Sequence, residues 1–338
     1  GIQAAARAAR YGLLTDWARR NRTCHILVAH NLEDQAETFL MRAAQGAGIY
    51  GLAGMAPVSR RRGVGIHRPL LEISGARLRQ TLTAKCQQWI EDPSNANPAF
   101  QRTHTRRLVT ALGQVGAPAT RLALLAGHFR SARTRLDGLA GALIGGAVVR
   151  HTTGYCQLQT QIFRCAPLMV ALHALRKILG EIGGRDYPAS GDKLERGLGR
   201  LLDSGDDRAF TLAGCRIIKA GGGPGTVLIC REERNAGERL TVTAGGRLFW
   251  RGVFEIALEG RDGGSDGPVY LGPLGQVGWS EIASKIEGGD ALLPPFPVRT
   301  ALPALFDRTG VAEVPHLGYV RVAGRLPVIG IDWVRPAL

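Results

Sequence analysis

Long apolar runs, paired cysteines and acid are all in short supply in these 338 residues. No stretch reaches the roughly 18 uninterrupted apolar residues of a membrane span, so the expectation is a soluble globular chain without membrane partners. The six cysteines, Cys24, Cys86, Cys156, Cys165, Cys215 and Cys230, form no CxxC pair and have no histidine at zinc-finger spacing. No metal site is expected from them, and they read as reduced thiols packed in cores. GGGPG at 221–225 lacks the Lys-Ser/Thr of a P-loop, and its place between two strand-like runs suits a hairpin turn. No segment joins a charged start to an apolar stretch in the manner of a signal peptide, which makes the cytoplasm the expected compartment. Acid is scarce: 28 Asp and Glu face 43 Lys and Arg, a net charge of +15 supplied almost wholly by arginine. Such a surface attracts polyanions, although an arginine-rich proteome produces the same bias.

Length suggests two or three domains. The chain opens on Gly1, not Met, inside GIQAAARAARYGLLTDWARR, where Ile2, Ala5, Ala9, Leu13 and Trp17 fall near helical spacing. HILVAH (25–30) is a run of strand length, apolar on both faces, and such a strand belongs inside a parallel sheet. This region offers few partners for it, so further strands are expected before Gly1. Asn31 is placed to cap a helix from about Leu32 to Ala44 that stops at Gly46 and Gly48. A basic loop, SRRRGVG, leads into HRPLLEI. Ser74 caps a further expected helix, ARLRQTLTAKCQQW, with Leu78, Leu82 and Cys86 facing a core, and EDPSNANPAF dictates turns. From Leu108 to about Leu202 the pattern is mostly helical, broken by an expected hairpin across AVVRHTTGYCQLQT. Beyond Phe210, LAGCRIIKA, GTVLICRE, GGRLFWRGVFEIAL and GYVRVAGRLPVIGIDW are glycine-punctuated strand runs.

Against this basic background, AHNLEDQAETFL (29–40) packs a histidine and three carboxylates behind the first strand. The end of a parallel strand and the first turn of the next helix are where open α/β sheets bind ligands. Asp34 and Glu37, three apart, share a helix face, and acids near a helix N-terminus suit its dipole. The plainer alternative is a solvated first turn. Arg42 and the glycines at 46, 48 and 51 follow at once, and glycine lets a backbone approach a ligand closely.

AHNLEDQAETFLMRAAQGAGIYGLAGM (29–55), RPLLEISGARL (68–78) and WIEDPSNANPAFQRTHTRR (89–107) resemble, in order, three sequence blocks of the tRNA(Ile)-lysidine synthetases, which are N-type ATP pyrophosphatases. GIQAAARAARY, VRTALPALFD and VPHLGY are similar to further parts of that family. The resemblance implies an incomplete doubly wound parallel-sheet PP-loop domain of α/β class at 1–108. A mostly helical tRNA-binding region at 109–205 and a β-rich C-terminal domain at 206–338 would follow. It implies ATP and Mg2+ as cofactors, and as partners free L-lysine and a minor isoleucine tRNA with a CAU anticodon. Family members adenylate C2 of the wobble cytidine, and lysine then displaces AMP to give lysidine, which pairs with A instead of G.

On this basis Asp34 and Glu37 are expected to handle lysine or act as general base, with His30 and Arg42 toward the nucleotide or the developing charge. Gly46 and Gly48 join His30 and Arg42 as cofactor-binding positions. Arg68, Asp92, Ser94, Asn95, Arg102 and Arg106 are the expected tRNA contacts. His316 is expected to pack a loop. The oligomer is left as monomer or homodimer. Departures from the family pattern are Asn31 for His, Glu33 for Asp, Gln45 for Arg, Thr103 for Asn and Thr105 for an apolar residue. The family's Ser-Gly-Gly-x-Asp-Ser loop, which holds pyrophosphate, does not occur in these residues. It is expected upstream of Gly1, and this chain alone is then expected not to adenylate tRNA. An inactive tRNA-binding remnant and a 2-thiocytidine synthetase are the alternatives, the second disfavoured by the lack of paired cysteines.

Overall fold

Helices and several separate sheets alternate in the computed structural model, which describes residues 2–61, 63–90, 101–184, 190–219, 225–232, 239–242, 247–250, 253–258, 269–286, 293–321 and 328–333. The chain divides into two compact units, 1–137 and 138–338. No single helix among the described residues is long and apolar enough to cross a membrane.

The first unit runs α1 (Ile2–Arg20), β1 (His25–Leu27), α2 (Leu32–Ala44), α3 (Ile49–Leu52), β2 (Val58–Arg61), β3 (Val64–His67), α4 (Gly75–Ala84) and α5 (Gln101–Gln114), and ends within α6 (Ala119–Ala147). β1 pairs in parallel with β3, the crossover passing through α2 and α3, while β2 and β3 form an antiparallel hairpin. SRRRGVG is therefore part of a hairpin, not a loop: its residues alternate across a ladder from Val58↔His67 to Arg61↔Val64. β1 is shorter than the HILVAH run and lies at the edge of the order β1-β3-β2, with Leu27 74% exposed. Among the described strands only β3 pairs with it, in keeping with the few partners expected for it in this region.

Asn31 and Ser74 do cap α2 and α4, each accepting a backbone N–H three residues on. α2 then buries Ala36 and Phe39 against Val109 of α5 and Leu122 and Ala126 of α6. Burial of one such aromatic is worth about 1.5–3 kcal/mol. Two apolar expectations are corrected. α4 buries no residue and ends at Ala84, before Cys86, whose φ of 52° is not helical. Among the residues of α1 whose burial is described, Tyr11, Thr15 and Ala18 are buried, a face at i, i+4 and i+7, while Leu13 and Trp17 are exposed.

The second unit starts with the expected hairpin, β4 (Val148–His151) and β5 (Tyr155–Gln159). It continues with α7 (Thr160–Cys165), α8 (Leu168–Gly183), α9 (Gly191–Leu202), β6 (Phe210–Leu212), β7 (Cys215–Ile218) and β8 (Thr226–Arg231). These five strands make one antiparallel sheet, β4-β5-β8-β7-β6, on which most of α8 is buried. β9 (Leu240–Val242), β10 (Arg247–Trp250), β11 (Phe254–Leu258), β12 (Val269–Pro273), α10 (Gly275–Ile282), α11 (Phe296–Arg299), β13 (Pro303–Asp307), β14 (Gly310–Val314), β15 (Tyr319–Val320) and β16 (Val328–Trp333) complete it. They form the sheets β15-β14-β13-β12-β9 and β10-β11-β16. Strands β12 to β14 had no counterpart in the sequence reading. The turn expected at 221–225 lies, but for Gly225, outside the described residues. Cys156, Cys215 and Cys230 are core thiols, and burial pushes Cys156 well up and Cys230 to about 12. Cys24, Cys86 and Cys165 are exposed, so the reading of all six as core thiols holds for three.

Candidate functional site

Each of the three acids of α2 has a partner of its own. Asn31 and Asp34 close a capping box: Asn31 Oδ1 accepts the Asp34 N–H at 3.0 Å, and Asp34 Oδ2 accepts the Asn31 N–H at 3.1 Å. Glu33 reaches 42 residues along the chain, where its Oε2 accepts the Gly75 N–H at 2.9 Å and satisfies the first amide of α4. The remaining Asp34 oxygen and both Glu37 oxygens face α5. Arg102 Nη2 donates to Asp34 Oδ1 and Arg102 Nε to Glu37 Oε2, both at 2.6 Å, and Arg106 Nε donates to Glu37 Oε1 at 2.7 Å.

The two carboxylates thus point the same way, as their spacing requires, and a single guanidinium straddles them. The Glu37 side chain is 3% exposed, against 31% for Arg102 and 41% for Arg106. Two anions and two cations sum to zero formal charge. Burial works against the Arg102 charge, but the hydrogen bond to Glu37, the fields of Asp34 and Glu37 and the bond to Asp34 outweigh it and raise its pKa above the ordinary value.

The glycine-rich stretch is fastened to the other side of α2. Arg42 Nη1 donates to the carbonyls of Gly51 and Gly54 at 2.8 and 2.9 Å. Buried Gln35 clamps Met55 by its backbone, accepting N–H at 2.7 Å and donating to the carbonyl at 2.9 Å. Gly54 carries φ of 64°, and a Cβ there would lie 2.7 Å from Gln35 Oε1, so this position admits little but glycine. Gly46 has φ of 68° and ends α2, whereas Gly48 has ordinary φ; a Cβ at either would meet nothing within 4 Å. His30 stands half-buried immediately before the cap. Arg68 braces the β2–β3 hairpin, its Nη1 donating to the Ala56 carbonyl at 2.8 Å and Ser59 Oγ at 3.0 Å. Asp92, Ser94 and Asn95 lie outside the described residues.

Arg102 and Arg106, expected at phosphates, serve here as counterions of α2, and Glu33 anchors α4, neither of which was expected from the sequence. One signal was available: Arg102 and Arg106 are four apart, a spacing that matches a carboxylate pair three apart on a facing helix. The backbone N–H groups of Asn31, Leu32 and Asp34 are taken by Asp34, Ile73 and Asn31. Among the described residues no group of His, Cys, Asp and Glu is arranged for a metal ion. This end of α2 thus holds one guanidinium between two carboxylates.

Residues 1–112 match a protein family described as PP-loop domain. The chain is similar to the tRNA(Ile)-lysidine synthase of Ruegeria pomeroyi, 39% identical over 251 residues, or 74% of this chain and 58% of that one. It is 31% identical over 274 residues to that of Wolbachia sp. subsp. Brugia malayi, covering 81% of this chain and 62% of the relative. With that of Methylobacterium nodulans the identity is 39% over 228 residues, 65% of this chain and 67% of the other. The chain spans about three fifths of the length of the first two of these relatives.

Proposed function

Because the chain belongs to the tRNA(Ile)-lysidine synthase family, we propose that it serves the ATP-dependent conversion of the wobble cytidine of a minor isoleucine tRNA, with CAU anticodon, to lysidine. The observation that carries this reading is the paired carboxylate of α2, where Asp34 and a buried Glu37 jointly enclose one cation. Lysine enters such a reaction as a cation and must lose a proton before its nitrogen attacks. Two carboxylates can bind its ammonium group and orient it, and one can take the proton as the carbon–nitrogen bond forms. Both carboxylates are given the binding role, and Glu37, the more buried, also the role of base.

His30, Arg42, Gly46 and Gly48 are proposed for the nucleotide side of the crevice, with Arg42 also holding the Gly51–Gly54 turn. Arg68, Arg102 and Arg106, with Asp92, Ser94 and Asn95, are proposed for the tRNA side. ATP and Mg2+ are proposed from family membership. The division into a PP-loop domain at 1–108, a helical tRNA-binding region at 109–205 and a β-rich domain at 206–338, and a cytoplasmic location, belong to the same reading.

The test is incorporation of labelled lysine into the tRNA transcript with ATP and Mg2+, comparing this chain with a version that carries its natural upstream residues, in which the variants are then read. Glu37→Gln should slow the lysine step about 100-fold while formation of the adenylated tRNA survives. Equal loss of both steps would remove Glu37 from the lysine step. A wild-type chain that binds the tRNA yet incorporates no lysine would point to tRNA binding without chemistry.

A further inference from the structure

The position that the proposed function gives to lysine is already filled by a cation of the chain itself. Arg102 bonds both carboxylates at 2.6 Å, and with Arg106 it brings the cluster to zero net charge, so nothing remains to attract a further cation. We propose that Arg102 is an exchangeable counterion, which closes Asp34 and Glu37 to free lysine until an RNA phosphate draws its guanidinium away. The inference rests on the assignment of lysine to Asp34 and Glu37.

Arg102, not Arg106, is the mobile member for three reasons. It touches both carboxylates, so its departure opens both, whereas Arg106 touches one oxygen of Glu37. It is the second residue of α5, in the first turn of the helix, whereas Arg106 lies a turn further in. Its side chain is 31% exposed, so a phosphate can reach it without unpacking the core.

Charge balance dictates an exchange instead of a simple opening. Glu37 is too buried to be left bare, since a buried carboxylate stripped of its partner costs several kcal/mol. When Arg102 leaves, the cluster of Asp34, Glu37 and Arg106 carries one net negative charge, and one ammonium group restores neutrality. The withdrawn guanidinium meets one phosphate charge on the RNA, so each cation again faces one net negative charge. No covalent bond changes, and the proton count is the same before and after.

Linkage makes the coupling reciprocal: tRNA must tighten lysine by the same factor by which lysine tightens tRNA. Idle lysine binding is thereby suppressed, and the nucleophile gathers only when its acceptor is present. A coupling of about tenfold is expected, within the ordinary range for linked sites.

The experiment is equilibrium dialysis of labelled L-lysine against this chain, with and without the minor isoleucine tRNA transcript and without ATP. Wild type should bind lysine about tenfold more tightly when tRNA is present. Arg102→Ala should bind lysine tightly without tRNA and lose the dependence. If Arg102→Ala leaves tRNA-free binding unchanged or weaker while wild type still binds lysine at Glu37, judged by loss in Glu37→Gln, the counterion role fails and the lysine assignment stands. If lysine binding survives Glu37→Gln intact, both fall together. Should Arg102→Ala not fold, tRNA binding by wild type with and without saturating lysine decides: tighter binding with lysine upholds the exchange, and equal affinity overturns it.

Discussion

Glu37 in the first unit and Glu181 in the second are both buried against arginine, and they are held differently. Glu181, on α8, meets Arg150 of β4 as a fork, Nε to Oε1 at 2.8 Å and Nη2 to Oε2 at 3.1 Å. Both oxygens go to one guanidinium, whose side chain is 23% exposed. Glu37 divides its two oxygens between two arginines, and the more central of these is shared with Asp34. A fork locks one element to another, because two parallel bonds fix both the distance and the orientation of the pair. A divided, shared arrangement holds charge in balance while leaving each cation replaceable. The first suits a core that must stay shut, and the second suits a site that must trade ions.

The sharpest way to break the comparison is Glu181→Ala, which strands Arg150 in its half-buried position. It should lower stability by about 3 kcal/mol, read as a drop in the urea midpoint, and leave lysine and tRNA binding by the folded protein intact. Glu37→Gln should show the reverse pattern, with chemistry lost and the smaller loss of stability, because the amide keeps the shape of the side chain and the two arginines it releases, 31% and 41% exposed, can turn to water. If Glu181→Ala proves as mild in urea as Glu37→Gln, the distinction between locking and trading pairs is gone.

A smaller effect should come from acid, and from the second unit. His316 lies edge-on to Phe254, with ring centroids 5.3 Å apart, and burial holds its pKa down at about 4. A histidine whose folded value lies below its unfolded value binds more protons when unfolded, so stability rises with pH across that gap. The contribution is complete above about pH 6.5 and falls away as pH drops toward 4, by about 3 kcal/mol. Urea midpoints between pH 7 and 4.5 would show the slope, and His316→Leu should flatten it. A slope that survives His316→Leu would assign the effect elsewhere.

The smallest expected change is Gly48→Ala. With an ordinary φ of −75° and nothing within 4 Å of an added Cβ, stability should move by less than about 0.5 kcal/mol. Gly54→Ala lacks that freedom. Any loss of lysine incorporation in Gly48→Ala would then report close approach of a ligand to the backbone. Full activity would remove Gly48 from the nucleotide side of the crevice.

Much of this site could be read one residue at a time. The cap at Asn31, the span of α2, the cap at Ser74 and the hairpin after Ala147 all follow from side chains acting within a turn of their own position. That Asp34 and Glu37 share a face follows from helical geometry alone. Misreadings began where a residue had to choose a distant partner. The stripe of Leu78 and Leu82 is amphipathic by spacing, yet α4 buries nothing, and Trp17 lies outside while Thr15 lies inside. Periodicity names a possible inner face, but it does not say whether another element arrives to cover it.

The sequence by itself therefore determined the family, the local elements and the gathering of three carboxylates on the first turns of one helix. Only the tertiary structure decided what those carboxylates do. Glu33 is spent on an amide 42 residues away, and Glu37 is shared between arginines 65 and 69 residues away. The physical reason is range: caps, turns and helix faces are set by contacts within a few residues. Counterions are chosen by which helices pack together, and here α2 packs on α5 through Ala36, Phe39 and Val109, apolar residues that carry no charge themselves.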